Sequence, residues 1–332
     1  MTTNLGPTPE QVAAIRNAVM KRMTSQDSPA PRISKSHRAR GRRFGLVTVG
    51  LGAMVTALIV TGVILPSGNT GGATAQAAEF LDTAAITTIE TSDPEIGPGQ
   101  YLRISTNRAS GTTDGSRETP MYLYLTTDVL YIPEDRSTVW VWERRTLPVT
   151  VSFGDAGKAA AERSNTSSGW KDPDLEGVLR AEAGAFYGGS ARTELSFDKL
   201  PRDPEALRDE FYKTYIGGSS SIDEDVWVRI TDLLRTGEVP ADLRAALYRT
   251  IALVPGVSIT EDEATLDGRT GVALGRTEPA RGSQEREEII IDPTTGLLIG
   301  ERRVTLVKQE DIPAGTTVGW STVHISVVDV AP

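Results

Sequence analysis

The 332-residue chain has no cysteine, two histidines and a formal net charge of −9. Those counts exclude a disulfide-stapled fold, a thiolate nucleophile and any Cys/His zinc cluster. The charge is unevenly divided: residues 1–43 carry nine Lys/Arg against two carboxylates, net +7, and the remainder holds 26 basic and 42 acidic residues, net −16.

The first predicted element is a short helix. Thr8-Pro9-Glu10-Gln11 places a threonine at the N-cap, proline at N1 and glutamine at N3, a capping-box start. Val12, Ile15, Val19 and Met23 then recur at helical spacing and make one apolar stripe. A helix this short is marginal alone, so the stripe calls for a partner or the membrane surface. After Thr24 the chain turns to Ser, Asp, Pro and basic residues, the composition of a linker.

Residues 44–65 contain no charge over 22 positions, long enough as a helix to span the roughly 30 Å hydrocarbon core of a bilayer. Arg32, Lys35, Arg38, Arg40, Arg42 and Arg43 precede the run, and no charge follows it until Glu79. The positive-inside rule leaves the N-terminus in the cytoplasm and sends the C-terminal part across the cell membrane. A cleaved signal peptide is the competing reading, but its apolar region is shorter, and the nearest A-x-A site, Ala75-Gln76-Ala77, lies well past the apolar end. Ala53 and Ala57 form a small-xxx-small pair, a weak cue for helix pairing. The basic tail suits the cytoplasmic lipid surface or serves only as a topology signal. The acidic surplus beyond the anchor argues against nucleic acid as a partner.

Four segments follow from this: a cytoplasmic tail (1–43), a transmembrane helix (44–65), a Ser/Gly/Asn/Thr linker (66–78) and an extracytoplasmic domain (79–332). In the last, residues 75–89 read as a helix and residues 101–106, 121–132 and 138–153 as strands. Both faces of these strands are suited to burial. One carries Leu102, Ile104, Met121, Leu123, Leu125, Val139 and Val141, the other Tyr101, Tyr122, Tyr124, Trp140 and Trp142. Residues 154–196, rich in Ala, Gly, Ser and Asn, match neither period. Helices are expected at 204–216, where Asp203 is an N-cap before Pro204, and at 223–234 and 240–253. Strands return at 257–260, 271–276, 287–292, 297–307 and 318–328. Asp292-Pro293-Thr294-Thr295-Gly296 between apolar runs marks a hairpin. Strands, then helices, then strands give an α+β class with an antiparallel, half-barrel-like sheet, helices on one face, and one N-terminal transmembrane helix.

No Walker loop, GxGxxG, GxSxG or HExxH pair occurs. Glu261-Asp262-Glu263, Asp223-Glu224-Asp225 and Glu285/Glu287/Glu288 lack the spacing of a calcium loop and read as a turn, a helix start and a strand edge. His324 reads as an ordinary strand residue. No metal, cofactor or enzymatic activity is expected. The candidate ligand-binding residues are Tyr101, Tyr122, Tyr124, Trp140 and Trp142, an aromatic face able to hold an acyl chain or an apolar peptide, or else to pack as core.

The segments AAEFLDTAA, VWVWERR, LPRDPEALRDEFY and IIIDPTTGLLIGERRVTL, together with the tail, Arg-rich linker and anchor, resemble a family of actinobacterial single-pass membrane proteins. Its members are often encoded beside extracytoplasmic-function sigma factors. That resemblance implies a regulatory role, with Val12, Ile15 and Val19 contacting a cytoplasmic regulator of transcription. The 43-residue tail has no His/Cys zinc motif. The outer domain is similar in plan to lipoprotein carriers and envelope-stress sensor domains, which implies a lipid or peptide ligand. The alternative is an anchored carrier or scaffold for a lipophilic ligand.

Overall fold

The computed structural model describes residues 71–113, 119–166, 176–187, 197–282 and 284–332. The tail helix with Val12, Ile15 and Val19, and the apolar run at 44–65, lie outside the described residues. Among the described residues no helix is long and apolar enough to cross a membrane.

The fold begins with helix α1 (Ala75–Thr91), capped by Thr74, whose side chain accepts from Ala77 N at 3.3 Å. Its buried stripe is Ala77, Leu81, Ala84, Ala85 and Thr88. Ala73 N donates to Ala252 O at 3.0 Å and Thr74 N to Val257 O at 2.9 Å. The folded part therefore starts by Ala73, ahead of the boundary expected at 79.

A first meander follows: β1 (Tyr101–Thr112), β2 (Tyr122–Pro133), β3 (Val139–Ser152) and, after helix α2 (Gly154–Thr166), β4 (Gly177–Glu182). Three helices come next, α3 (Pro204–Lys213), α4 (Ile222–Arg235) and α5 (Ala241–Ile251). Asp203 caps α3 through Ala206 N, and Ser221 caps α4 through Glu224 N, at 2.9 and 3.0 Å. The second meander is β5 (Ser258–Leu266), β6 (Arg269–Thr277), β7 (Glu285–Ile291), β8 (Leu298–Thr305) and β9 (Thr317–Val328). β9 pairs antiparallel with β1 and joins the meanders into one open nine-stranded sheet, order β4-β3-β2-β1-β9-β8-β7-β6-β5.

Antiparallel partners point to the same side of a sheet. Leu102 pairs with Ile132, and Ile104 with both Leu130 and Ile325. With Ile289, Ile291, Leu274 and Val323 they form the apolar floor on which α1, α3, α4 and α5 pack. Trp227, Tyr248, Phe211 and Leu243 fill the layer between. Each such side chain contributes about 1.5–3 kcal/mol by leaving water. Helix α2 packs elsewhere, its Ala160 and Ala161 against Met121, Tyr122 and Val149.

The hairpin at Asp292–Gly296 forms as its sequence requires. Asp292 Oδ1 accepts from Thr294 N at 2.8 Å, and Gly296 takes φ +66°. The turn is wedged under α1, where a Cβ on Gly296 would lie 2.6 Å from both Ala84 O and Thr88 N. The Tyr248 hydroxyl donates to Gly296 O at 2.8 Å and ties the turn to α5. At the other end of the second meander the β5–β6 hairpin folds over the outer side of the sheet. Asp267 there accepts from Asn107 Nδ2 on β1 at 2.9 Å and from Thr322 Oγ1 on β9 at 3.1 Å. Glu261-Asp262-Glu263, expected in a turn, lies within β5, which absorbs it through two register shifts.

Candidate functional site

The helix-facing side of the sheet is apolar over only part of its extent. Beyond Ile104 and Val323 the same alternation carries Thr106, Arg108 and Ser110 on β1. Arg108 pairs with Ser321 of β9, Ser321 with Glu301 of β8, and Arg303 of β8 with Glu287 of β7. Helix α4 stands over this polar half, presenting Trp227, Thr231, Asp232 and Arg235. Between helix and strands lies a cavity of about 490 Å³. A second, of about 230 Å³, shares Trp227, Glu287 and Arg303 with the first and extends it toward Arg276 and Arg281.

The cleft is held by ion pairs. Arg235 on α4 reaches Glu301 on β8 and Asp232 one turn back on its own helix. Burial works against the Arg235 charge, but Glu301 and Asp232 outweigh it and hold the guanidinium above the usual arginine value. Ser321 Oγ donates to Glu301 Oε1 at 3.0 Å. Arg303 Nε stands 3.1 Å from Glu285 Oε2, and Arg281 Nε 2.8 Å from the buried Glu224. Two carboxylates on this floor are poorly compensated. Burial pushes the Glu287 carboxyl up, helped by the charge of Glu224 and opposed by Arg303 and Arg281. Burial likewise pushes Asp128 up, against the pull of Arg144 and Arg108. Arg108 is exposed, with no hydrogen bond or ion pair among the described residues. Opposite charges and hydroxyls around a concave space suit a polar ligand held by directed hydrogen bonds.

The five aromatic residues singled out in the sequence are not brought together. Trp142 pairs with Leu130, so Trp140 and Trp142 share the helix-facing side with Leu102 and Ile104. Trp140 is 4% exposed within the core, donates Nε1–H to Arg136 O at 2.9 Å and lies under the Arg136 guanidinium. Trp142 makes edge contacts with Phe186 and Tyr187, centroids 5.4 and 6.0 Å away, and Arg144 stacks on it at 5.4 Å. Tyr101 points to the opposite side and packs near Tyr131, Val141 and Val328. Tyr122 and Tyr124 lie far along β2, six to eight residues from Leu130, roughly 20–26 Å at strand rise. The Tyr122 hydroxyl bonds to Ser164 of α2 at 3.2 Å.

The sequence alone does not single out Arg108, Arg235, Glu301 or Arg303, and Glu287 reads there as a strand-edge charge. A signal was present: Glu287 has the parity of the buried Ile289 and Ile291, so one side of β7 changes from apolar to ionic along its length. Among the described residues no three His, Cys, Asp or Glu side chains converge as metal ligands. His324 is a surface β9 residue whose imidazole is partly covered, and that partial burial, with Arg269 and Arg103, lowers its pKa.

No family model matches the chain, and no curated protein matches it. Among solved structures, it is similar to the complex structure of Pseudomonas aeruginosa MucA/MucB at 12% sequence identity and a TM-score of 0.23. The alignment covers 78% of this chain and spans 59% of the length of that one. A likeness of that size carries no inference about fold, partner or activity.

Proposed function

We propose that the chain is a single-pass membrane protein whose extracytoplasmic domain binds a ligand or partner in the charged cleft and acts in regulation. In this reading the tail residues Val12, Ile15 and Val19 meet a cytoplasmic regulator of transcription, in association with an extracytoplasmic-function sigma factor. The anchor and topology rest on residues 44–65 and the basic run before them. The domain is taken as a half-barrel. Two features support this: the β5–β6 hairpin reaches back to Asn107, and a Cβ on Gly300 of β8 would lie 2.9 Å from Leu266 Cδ2 of β5.

The single observation that carries the binding reading is the division of the helix-facing side into an apolar half, filled by helices, and an ionic half left open as a cleft. An anchored carrier of a lipophilic molecule would need the apolar half. There Leu207, Phe211, Leu243 and Leu247 already occupy the space.

The test is genetic. In the native host, one strain carries Val12→Ser, Ile15→Ser and Val19→Ser together, and a second carries Arg108→Glu. Transcript profiles are compared with wild type at equal protein levels. Both strains are expected to shift the same set of transcripts. Unchanged profiles in the tail strain would overturn the regulatory reading, and unchanged profiles in the Arg108→Glu strain would overturn the cleft as its input.

A further inference from the structure

We infer that the cleft binds an uncharged oligosaccharide. The inference rests on the cleft reading above and adds the chemical class of the ligand.

The polar floor is longer than the cavity. From Arg108 it continues to Thr126 on β2, and one register step along, Thr106 faces Asp128, which faces Arg144 on β3. The strip thus crosses six strands, from Glu287 on β7 to Arg144 on β3. Five interstrand spacings make it about 24 Å long. At its β3 end stands Trp142, in edge contact with both Phe186 and Tyr187, and Tyr187 is 76% exposed. A long polar strip ending in exposed aromatic rings calls for an elongated ligand with both hydroxyls and apolar faces.

Three observations choose a sugar chain over a peptide or a polyanion. First, the floor is a sheet face, and its N–H and C=O groups are tied into the ladders. A peptide cannot add here as a strand, which needs a free edge, so recognition must come from side chains. Second, those side chains are hydroxyls (Thr106, Ser110) and charged groups of both signs, several of them paired with one another. Arg235 is matched by Glu301 and Asp232, and Arg303 by Glu285. Such pairs leave little net charge yet hydrogen-bond neutral hydroxyls strongly, and a site built this way rejects ligands lacking them. Third, the surplus of 16 negative charges beyond residue 43 repels a polyanion. Trp142 and Tyr187 then supply amphipathic rings for the apolar face of a terminal sugar unit.

The experiment presents the full-length chain in detergent micelles to an array of neutral oligosaccharides, acidic oligosaccharides and heptapeptides, with calorimetry on whatever binds. Two variants test the site, Arg108→Glu and Tyr187→Ser, both at exposed positions. Neutral oligosaccharides are expected to bind. Their affinity should fall about ten- to a hundredfold in Arg108→Glu, the loss of one charged hydrogen bond. It should also fall in Tyr187→Ser, with both variants still folded by circular dichroism. Absence of neutral oligosaccharide binding overturns the inference, as does binding indifferent to both variants. Heptapeptide binding that depends on Arg108 would overturn the sugar class and leave the cleft standing. Binding of any class that ignores Arg108→Glu would remove the cleft as well.

Discussion

Gly296→Ala probes the packing that makes the apolar half of the sheet unavailable to a ligand. Gly296 sits at φ +66°, a conformation that costs an L-residue about 1–2 kcal/mol. The added methyl would also come within 2.6 Å of Ala84 O and Thr88 N, which are backbone atoms of α1 and cannot swing aside. Forcing a methyl into filled space costs about 1–3 kcal/mol more. Gly256→Ala is the matched control, since Gly256 has φ +84° and nothing within 4 Å of the added methyl. It should lose only the conformational part. The excess for Gly296→Ala is therefore about 1–3 kcal/mol, or about 2–12 °C in melting temperature for a domain of this size. Thermal unfolding of residues 71–332, followed by circular dichroism, reads it directly. Equal losses in the two variants would refute the wedging of the turn beneath α1.

Other outcomes follow from burial and charge. Leu243→Ala, at a fully buried α5 position, should cost about 2–5 kcal/mol by urea titration. Ile216→Ala, 97% exposed, should change stability by no more than about 0.5 kcal/mol, and similar costs for the two would contradict the burial described. Glu287 has a folded-state pKa raised above its ordinary 4.5, so its charged form costs stability at neutral pH, a cost relieved as pH falls toward 4.5. Glu287→Gln should therefore stabilise the domain at pH 7, with a gain that vanishes below pH 4.5; a constant or inverted difference would contradict this. His324 is the one histidine beyond residue 43, so its imidazole signals in residues 71–332 titrate alone. The midpoint should lie below 6.5. Stability should then fall as pH drops from 6.5 to that lower value, and a midpoint at or above 6.5 would contradict the environment described.

Much of the fold was legible from local pattern. Residues 75–89 read as a helix from their period, 204–216 from the Asp203 cap, and 223–234 and 240–253 from their Gly and Pro punctuation, and α1, α3, α4 and α5 form there. The Asp292–Gly296 turn follows from side-chain chemistry contained within five residues. The losses have physical causes. Helix α2 buries only Gly157, Ala160, Ala161 and Ser164, small residues that give almost no hydropathy contrast. The acidic run in β5 reads as a turn because bulges, which place charges on an otherwise regular strand, leave no trace in composition. Alternation within each strand groups Tyr101 with Trp140 and Trp142, because it does not reveal the register between strands. Pairing of Leu102 with Ile132 reverses that grouping. The cleft was hidden for the same reason, since Arg108, Arg235, Glu287 and Glu301 become neighbours only when β9 returns to β1 and α4 settles over the sheet.

The most direct test of the central claim is to purify the full-length chain from its native host, extract it with organic solvent and identify what co-purifies by mass spectrometry. A polar cleft beside a filled apolar core is expected to yield no stoichiometric lipid. A stoichiometric acyl lipid, retained through purification and unaffected by Arg108→Glu, would contradict that division of the sheet and restore the lipophilic carrier.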